Sequence, residues 1–207
     1  MTDGPALAGL SISDPPERWV DLGFAVHDGE RRVGMVSLTF GIAPPGRGIV
    51  GWTLHDLAGD GDIDGLPTRV VPRPQWSIRA DVGDANLVRE IDHVVIVTPD
   101  FDGLAAALDA RGMALRRVAE RDGRRQGFRR LGGPIMEIVE APEAPATAFW
   151  GVTFTVARLD LLVSWNRYVG EPRPAVQPGR RIATVSREAG LSTRVAFMDP
   201  EPARDAG

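Results

Sequence analysis

Three histidines, His27, His55 and His93, are the whole imidazole supply of the 207-residue chain, which contains no cysteine. Lysine is absent too, so every positive side chain is an arginine. Thiolate nucleophiles, disulfides, Schiff-base chemistry and cysteine-held zinc or iron-sulfur sites are thereby excluded. What is left is acid-base work by His, Asp and Glu, or a metal held by those same residue types. His93 is the most informative of the three. It is set into the apolar run "EIDHVVIVTPDFDG" (90–103), which reads as a strand, a Pro-Asp turn and a helix start.

The elements that would position it follow a regular order after Glu90. A strand "IDHVVIVT" leads to a helix "FDGLAAALDARG" with Phe101, Leu104, Ala105 and Leu108 on one stripe and Gly112 at its end. Strands "ALRRVAE", "GFRRLG" and "PIMEIVE" complete a β-α-β-β-β unit. The next segment repeats it, with strand "WGVTFTV", helix "LDLLVSWNRYVG" and strands around "PAVQ", "RIATVSR" and "TRVAFMD". One offset of fifty-eight residues aligns the two without a gap: Val94 meets Val152, Asp102 meets Asp160, Leu104 meets Leu162, Gly112 meets Gly170 and Gly132 meets Gly190. The first eighty-nine residues read differently, as β-rich runs "WVDLGFAV", "RVGMVSLTFG" and "GIVGWTLHDL". From Ala58 to Glu90, Gly, Asp and Pro dominate and suggest a long connection pinned by Trp76.

The tandem units, opening "IDHVVIVTPDFD" and closing "IMEIVEAP", resemble the vicinal oxygen chelate superfamily of glyoxalases, extradiol dioxygenases and bleomycin-resistance proteins. "FWGVTFTVARLD" and "VQPGRRIATVSREAGLSTRVAFMDP" are similar to its glyoxalase-like members. The resemblance implies an α+β fold in which tandem βαβββ modules, 90–144 and 145–202, form a curved-sheet cup with outer helices, beside an N-terminal β-rich extension, 1–89. Alternation along the strands then turns Ile91, His93, Val95 and Val97 into the cup, with Ile135, Glu137 and Val139 from "PIMEIVE". Asp92, Val94 and Ile96 face the helix.

The resemblance further implies ligands for a divalent metal, zinc, nickel, iron or manganese, on the first and last strand of each module. His93 and Glu137 match those positions in the first module, as catalytic residues and metal ligands alike. Gly151 and Val195 stand at the matching positions of the second, and neither coordinates through a side chain. His27, His55, Asp56 and Asp60 of the N-terminal segment are the reserve for a missing ligand. Arg129 and Trp150 are candidate substrate contacts, through a carboxylate or phosphate and through stacking.

Other signals read as structure. "DGDIDG" (60–65) has the opening spacing of a calcium loop, but Val71 stands where its bidentate Glu is needed, which favours an Asp-Gly turn. "IATVSREAGLSTR" echoes a helix-turn-helix, yet the repeat register makes it strand, glycine turn, strand. With a net charge of -4 and no apolar run long enough for a membrane span, neither nucleic acid nor membrane is expected as a partner. The expected protein is cytoplasmic, takes a small-molecule ligand and admits a homodimer through sheet edges. Its function is binding of a small oxygenated molecule, with lyase or isomerase chemistry around a degenerate metal site; the alternative is metal-free binding or sequestration.

Overall fold

The computed structural model describes residues 4–73 and 83–202; Trp76 lies outside them. The first half opens with β1 (Ala6–Ile12), the short helix α1 (Pro16–Asp21), then β2 (Glu30–Val33), β3 (Val36–Thr39) and β4 (Ile49–His55). Helix α1 takes in the first three residues, Trp19 to Asp21, of the run "WVDLGFAV", expected to be a strand. The reason is local: Pro15-Pro16 presets a helical start and Glu17 favours the first turn. The expected long connection also contains a hairpin, β5 (Gly61–Ile63) and β6 (Leu66–Val70). Its turn is Asp64-Gly65, both with positive φ (49° and 89°), and the Asp60 and Asp62 carboxylates accept from Val70 N–H and Gly65 N–H. The "calcium" carboxylates are thus spent on turn formation.

The second half holds the two expected modules. The first is β7 (Val88–Thr98), α2 (Phe101–Ala110), β8 (Arg117–Arg121), β9 (Arg124–Arg130) and β10 (Ile135–Glu140). Asp100 caps α2 by accepting from Gly103 N–H at 2.9 Å. The second is β11 (Ala148–Val156), α3 (Leu159–Trp165), β12 (Arg173–Pro174), β13 (Arg181–Thr184) and β14 (Arg194–Met198). A single 3-10 turn, Arg187–Ala189, ended by left-handed Gly190, stands in place of any helix-turn-helix.

Two sheets result, of order β2-β3-β1-β4-β6-β5 and β12-β13-β14-β11-β7-β10-β9-β8. In the larger, β7 and β11 pair antiparallel with Val94 opposite Val152, the residues that the repeat offset superposes. The pseudo-twofold therefore passes between them. One face of this sheet, carrying Val94, Ile96, Met136, Ile138, Val152, Phe154 and Phe197, is fully buried. It packs against the first half: Trp19 meets Phe154 at 6.2 Å, Phe24 meets Phe197 at 6.2 Å and Trp52 meets Phe149 at 5.3 Å between ring centroids. Leu104 and Leu108 of α2 and Leu162 of α3 join the same core. The opposite face stays open, and it carries His93.

Candidate functional site

The strand that carries His93 is not regular. His93 faces Thr153 on β11 while Ile91 faces Phe154, so Asp92 is an extra residue in β7 with no partner across. This bulge turns Asp92 onto the same face as His93, where strict alternation would send it toward the helices. Its Oδ1 lies 2.9 Å from His93 Nδ1. A carboxylate oxygen only accepts here, so Nδ1 carries the proton and donates, leaving Nε2 as the acceptor of a neutral ring. The Thr153 hydroxyl donates to that nitrogen at 3.0 Å.

Arg180 closes the back of the arrangement. Its Nη2 donates to Asp92 Oδ2 at 2.6 Å and its Nε to the Asp199 carbonyl at 2.8 Å. The Arg180 side chain is buried and that of Asp92 nearly so, 3% and 10% exposed. Burial pushes the Asp92 carboxyl up, but hydrogen bonds from His93 and Arg180 outweigh it and hold the group below the ordinary aspartate range. Arg180 follows Gly179 at a turn and reads from sequence as a solvated charge, as does Arg181. Only Arg181 is one, exposed and paired with Asp160 and Asp199.

Glu137 lies on β10 with its Oε2 3.8 Å from His93 Nε2. That gap is too long for a direct hydrogen bond. Burial raises the Glu137 carboxyl above the ordinary glutamate value, and attraction to His93 and Arg121 offsets only part of this. The open face thus sets a half-buried acid, its pKa raised by burial, beside an imidazole whose tautomer is fixed. A cavity of about 180 Å³ lies on the Asp92–Arg180 side, lined among others by Asp92, Ile135, Gln177 and Arg180 but by neither His93 nor Glu137.

A metal at this place would find two side-chain donors, His93 Nε2 and the Glu137 carboxylate. The second module cannot complete the set. A Cβ built on Gly151 would lie 2.4 Å from the Arg194 carbonyl oxygen, so that position admits no side chain at all. Val195 is buried on the opposite face. The residue that matches Glu137 is Ala196, because Glu137 pairs with Val95 and Ala196 with Thr153. Among the described residues no three His, Asp or Glu side chains gather to hold a metal ion. Two donors fall short of the usual three, and the residues present do not fit a tightly held catalytic ion.

The N-terminal reserve does not reach the site. His27 forms a bridge with Glu30, His55 Nδ1 lies 3.0 Å from the Val71 carbonyl, Asp56 pairs with Arg73 and Asp60 caps Val70. Arg129 is turned away from the cup: it stands opposite Met136, which is buried under α2, and Nη1 donates to the Ala114 carbonyl at 2.7 Å. Trp150 is 52% exposed in a second bulge, on β11. Asp92, Thr153 and Arg180 are the site members that sequence reasoning missed. The alternation "GVTFTV" signals Thr153 and Thr155 on one face; the bulge at Asp92 leaves no such trace.

No family model matches the chain, and no curated protein matches it. Solved structures do. Methylmalonyl-CoA epimerase from Mycobacterium tuberculosis aligns with a TM-score of 0.47 and 19% identity, over 57% of this chain and 92% of that one. A Streptomyces coelicolor methylmalonyl-CoA epimerase in complex with 2-nitronate-propionyl-CoA gives 0.44 and 18%, over 56% and 99%. A hypothetical protein from Bacillus halodurans C-125 gives 0.45 and 17%, over 56% and 97%. Residues 88–198 form two βαβββ units whose first strands pair antiparallel at the centre of one sheet. No helix among the described residues is long and apolar enough to cross a membrane.

Proposed function

We propose that the open face of the eight-stranded sheet binds a small oxygenated molecule and moves a proton on it, with His93 as base and Glu137 as acid. The observation that carries this reading is the chain of contacts from Arg180 through Asp92 to His93, with Glu137 within 4 Å of the far nitrogen. A carbon acid next to a carbonyl would lose its proton to Nε2, after Thr153 releases that nitrogen. Asp92, kept ionised, would stabilise the resulting imidazolium. The carbonyl oxygen gains electron density in the same step and takes a hydrogen bond from the protonated Glu137 carboxyl. Return of the proton to carbon gives isomerisation or epimerisation. No step is drawn through a metal, because the chain supplies two donors for it.

The experiment is solvent exchange. The full chain is incubated in deuterium oxide with 2-hydroxyketones, 2-oxoacids and acyl thioesters, and deuterium at the carbon next to the carbonyl is read by NMR. Exchange with at least one of these classes is expected, slowed about 100-fold or more in His93→Ala and in Glu137→Gln. No exchange with any class would sink the proposal. The same geometry favours one second reading, since Gly151 and Ala196 leave half a metal site unbuilt: a binding or sequestering protein in which His93 and Glu137 only hydrogen-bond the ligand. Saturable binding weakened in His93→Ala, with no exchange, would establish it. For either reading, elemental analysis of protein purified without chelators should find well under one equivalent of zinc, nickel, iron or manganese.

A further inference from the structure

The six-stranded sheet repeats the register of the larger one and carries an open face of its own. Gly9 faces Thr53 as His93 faces Thr153, and one extra residue precedes each, Ala8 in β1 and Asp92 in β7. Ser11 stands beside Thr39 as Val95 stands beside Glu137. The place of the imidazole is thus taken by a glycine, and a cavity of about 320 Å³ opens on this face. Its floor is Ser11, Ser37, Thr39 and Thr53, with Arg32 at one side and His55 at the other. None of the four hydroxyls has a hydrogen-bond partner among the described residues, and neither does the Arg32 guanidinium. His55 Nδ1 is held at 3.0 Å by the Val71 carbonyl, which fixes the neutral tautomer and leaves Nε2 as an unspent acceptor.

The geometry points to a second ligand site here, for a small hydroxycarboxylate such as a sugar acid. A planar guanidinium takes a carboxylate through two parallel N–H donors, which a neutral ligand would leave unused. The serine and threonine hydroxyls both give and accept, matching a chain of ligand hydroxyls, and His55 Nε2 accepts one of them. Met35 and Val71 supply an apolar edge. The volume is at the small end of ligand pockets, which excludes large cofactors. This site does not rest on the reading of His93.

The probe is sodium D-gluconate, with D-glucose as its neutral counterpart, titrated into the full chain by calorimetry and by amide NMR. Gluconate is expected to bind saturably, to shift the amides of Ser11, Ser37 and Thr53, and to bind at least about tenfold more tightly than glucose. Arg32 is exposed, so Arg32→Gln should keep the melting temperature while weakening gluconate about tenfold or more. Thr53→Val, isosteric, should weaken it less, and His93→Ala should leave it unchanged. Absence of saturable gluconate binding, equal binding by Arg32→Gln, or loss of binding in His93→Ala would each overturn the proposal.

Discussion

In the eight-stranded sheet, β7 and β11 run antiparallel at the centre, and each has its module's last strand, β10 or β14, beside it in parallel. In the six-stranded sheet β1 and β4 hold those central places, with β3 and β6 beside them. The smaller sheet has one strand fewer on each arm, and no helix follows β4. What differs is the chemistry at matching places. Ala8, Gly9 and Thr39 stand where Asp92, His93 and Glu137 stand. One backbone plan supports a face of hydroxyls in one half and a face of titratable groups in the other, so the sheet geometry alone does not make the larger cup chemical. The bulge does: it is present in both, and only where it holds Asp92 does it orient an imidazole.

The sharpest way to break that contrast is through the two buried arginine-aspartate pairs. Arg180 with Asp92 lies under the larger face; Arg31 with Asp84, 2.8 Å apart, ties β2 to the segment before β7, and Asp84 also accepts from Ala25 N–H. Removing either carboxylate takes its charge partner from a buried arginine, at a cost of about 3–5 kcal/mol. Asp92→Asn and Asp84→Asn should therefore lower stability by similar amounts in urea titrations. Only Asp92→Asn should also slow the deuterium exchange assigned to His93. Equal effects on exchange would mean that Asp92 is merely structural.

Next in size is a pair of glycines at matching places, Gly151 in β11 and Gly51 in β4. A Cβ on Gly151 would come within 2.4 Å of the Arg194 carbonyl, and one on Gly51 within 3.1 Å of the Pro67 carbonyl. Both meet backbone, which yields little. Overpacking of this kind costs about 1–3 kcal/mol. Gly151→Ala is expected at or above the upper end and Gly51→Ala near the lower, by thermal or urea unfolding. The corollary is that Gly151→His cannot rebuild a metal site: near-stoichiometric zinc in a folded Gly151→His protein would contradict the close approach of β14.

How much of this was legible follows from the kind of signal each feature leaves. The repeat offset put Val94 on Val152 because a twofold sheet places matching residues opposite one another, and that register survives divergence of side chains. His93 and Glu137 could be turned inward by alternation alone, since each lies in a run that buries its other face. Alternation fails wherever the count changes. Asp92 was sent to the wrong face by a bulge, and Val195 was matched to Glu137 where Ala196 belongs because the pairing of β14 with β11 slips by one residue. The hairpin at 61–70 was missed because its Asp and Gly residues are the turn chemistry of a loop as much as of a two-residue hairpin turn. The kinship of the two sheets left little sequence trace: it resides in pairing partners, and in the central strands Ile12 with Ile96, Gly51 with Gly151 and Thr53 with Thr153 keep a common residue.

The smallest expected effect separates Glu137 from its uncharged counterpart Thr39. Burial favours the protonated Glu137 in the fold, so its folded pKa lies above the ordinary value of 4.5. The stability linked to that group is fully present below the unfolded pKa and is lost as pH rises through the folded one. Asp92 runs the other way: its pKa is lowered from 3.8, so its contribution is present above that value and fades as pH falls through the folded pKa. Glu137→Gln is neutral at every pH and should gain on the parent protein as pH climbs from below 4.5 toward neutrality, in urea midpoints taken across that window. Thr39→Val has no titrating group to remove, and its difference from the parent should stay flat over the same range. A flat difference for Glu137→Gln as well would mean that the carboxyl is ionised in the fold as readily as in the unfolded chain, and the acid assigned to the larger cup would lose its physical basis.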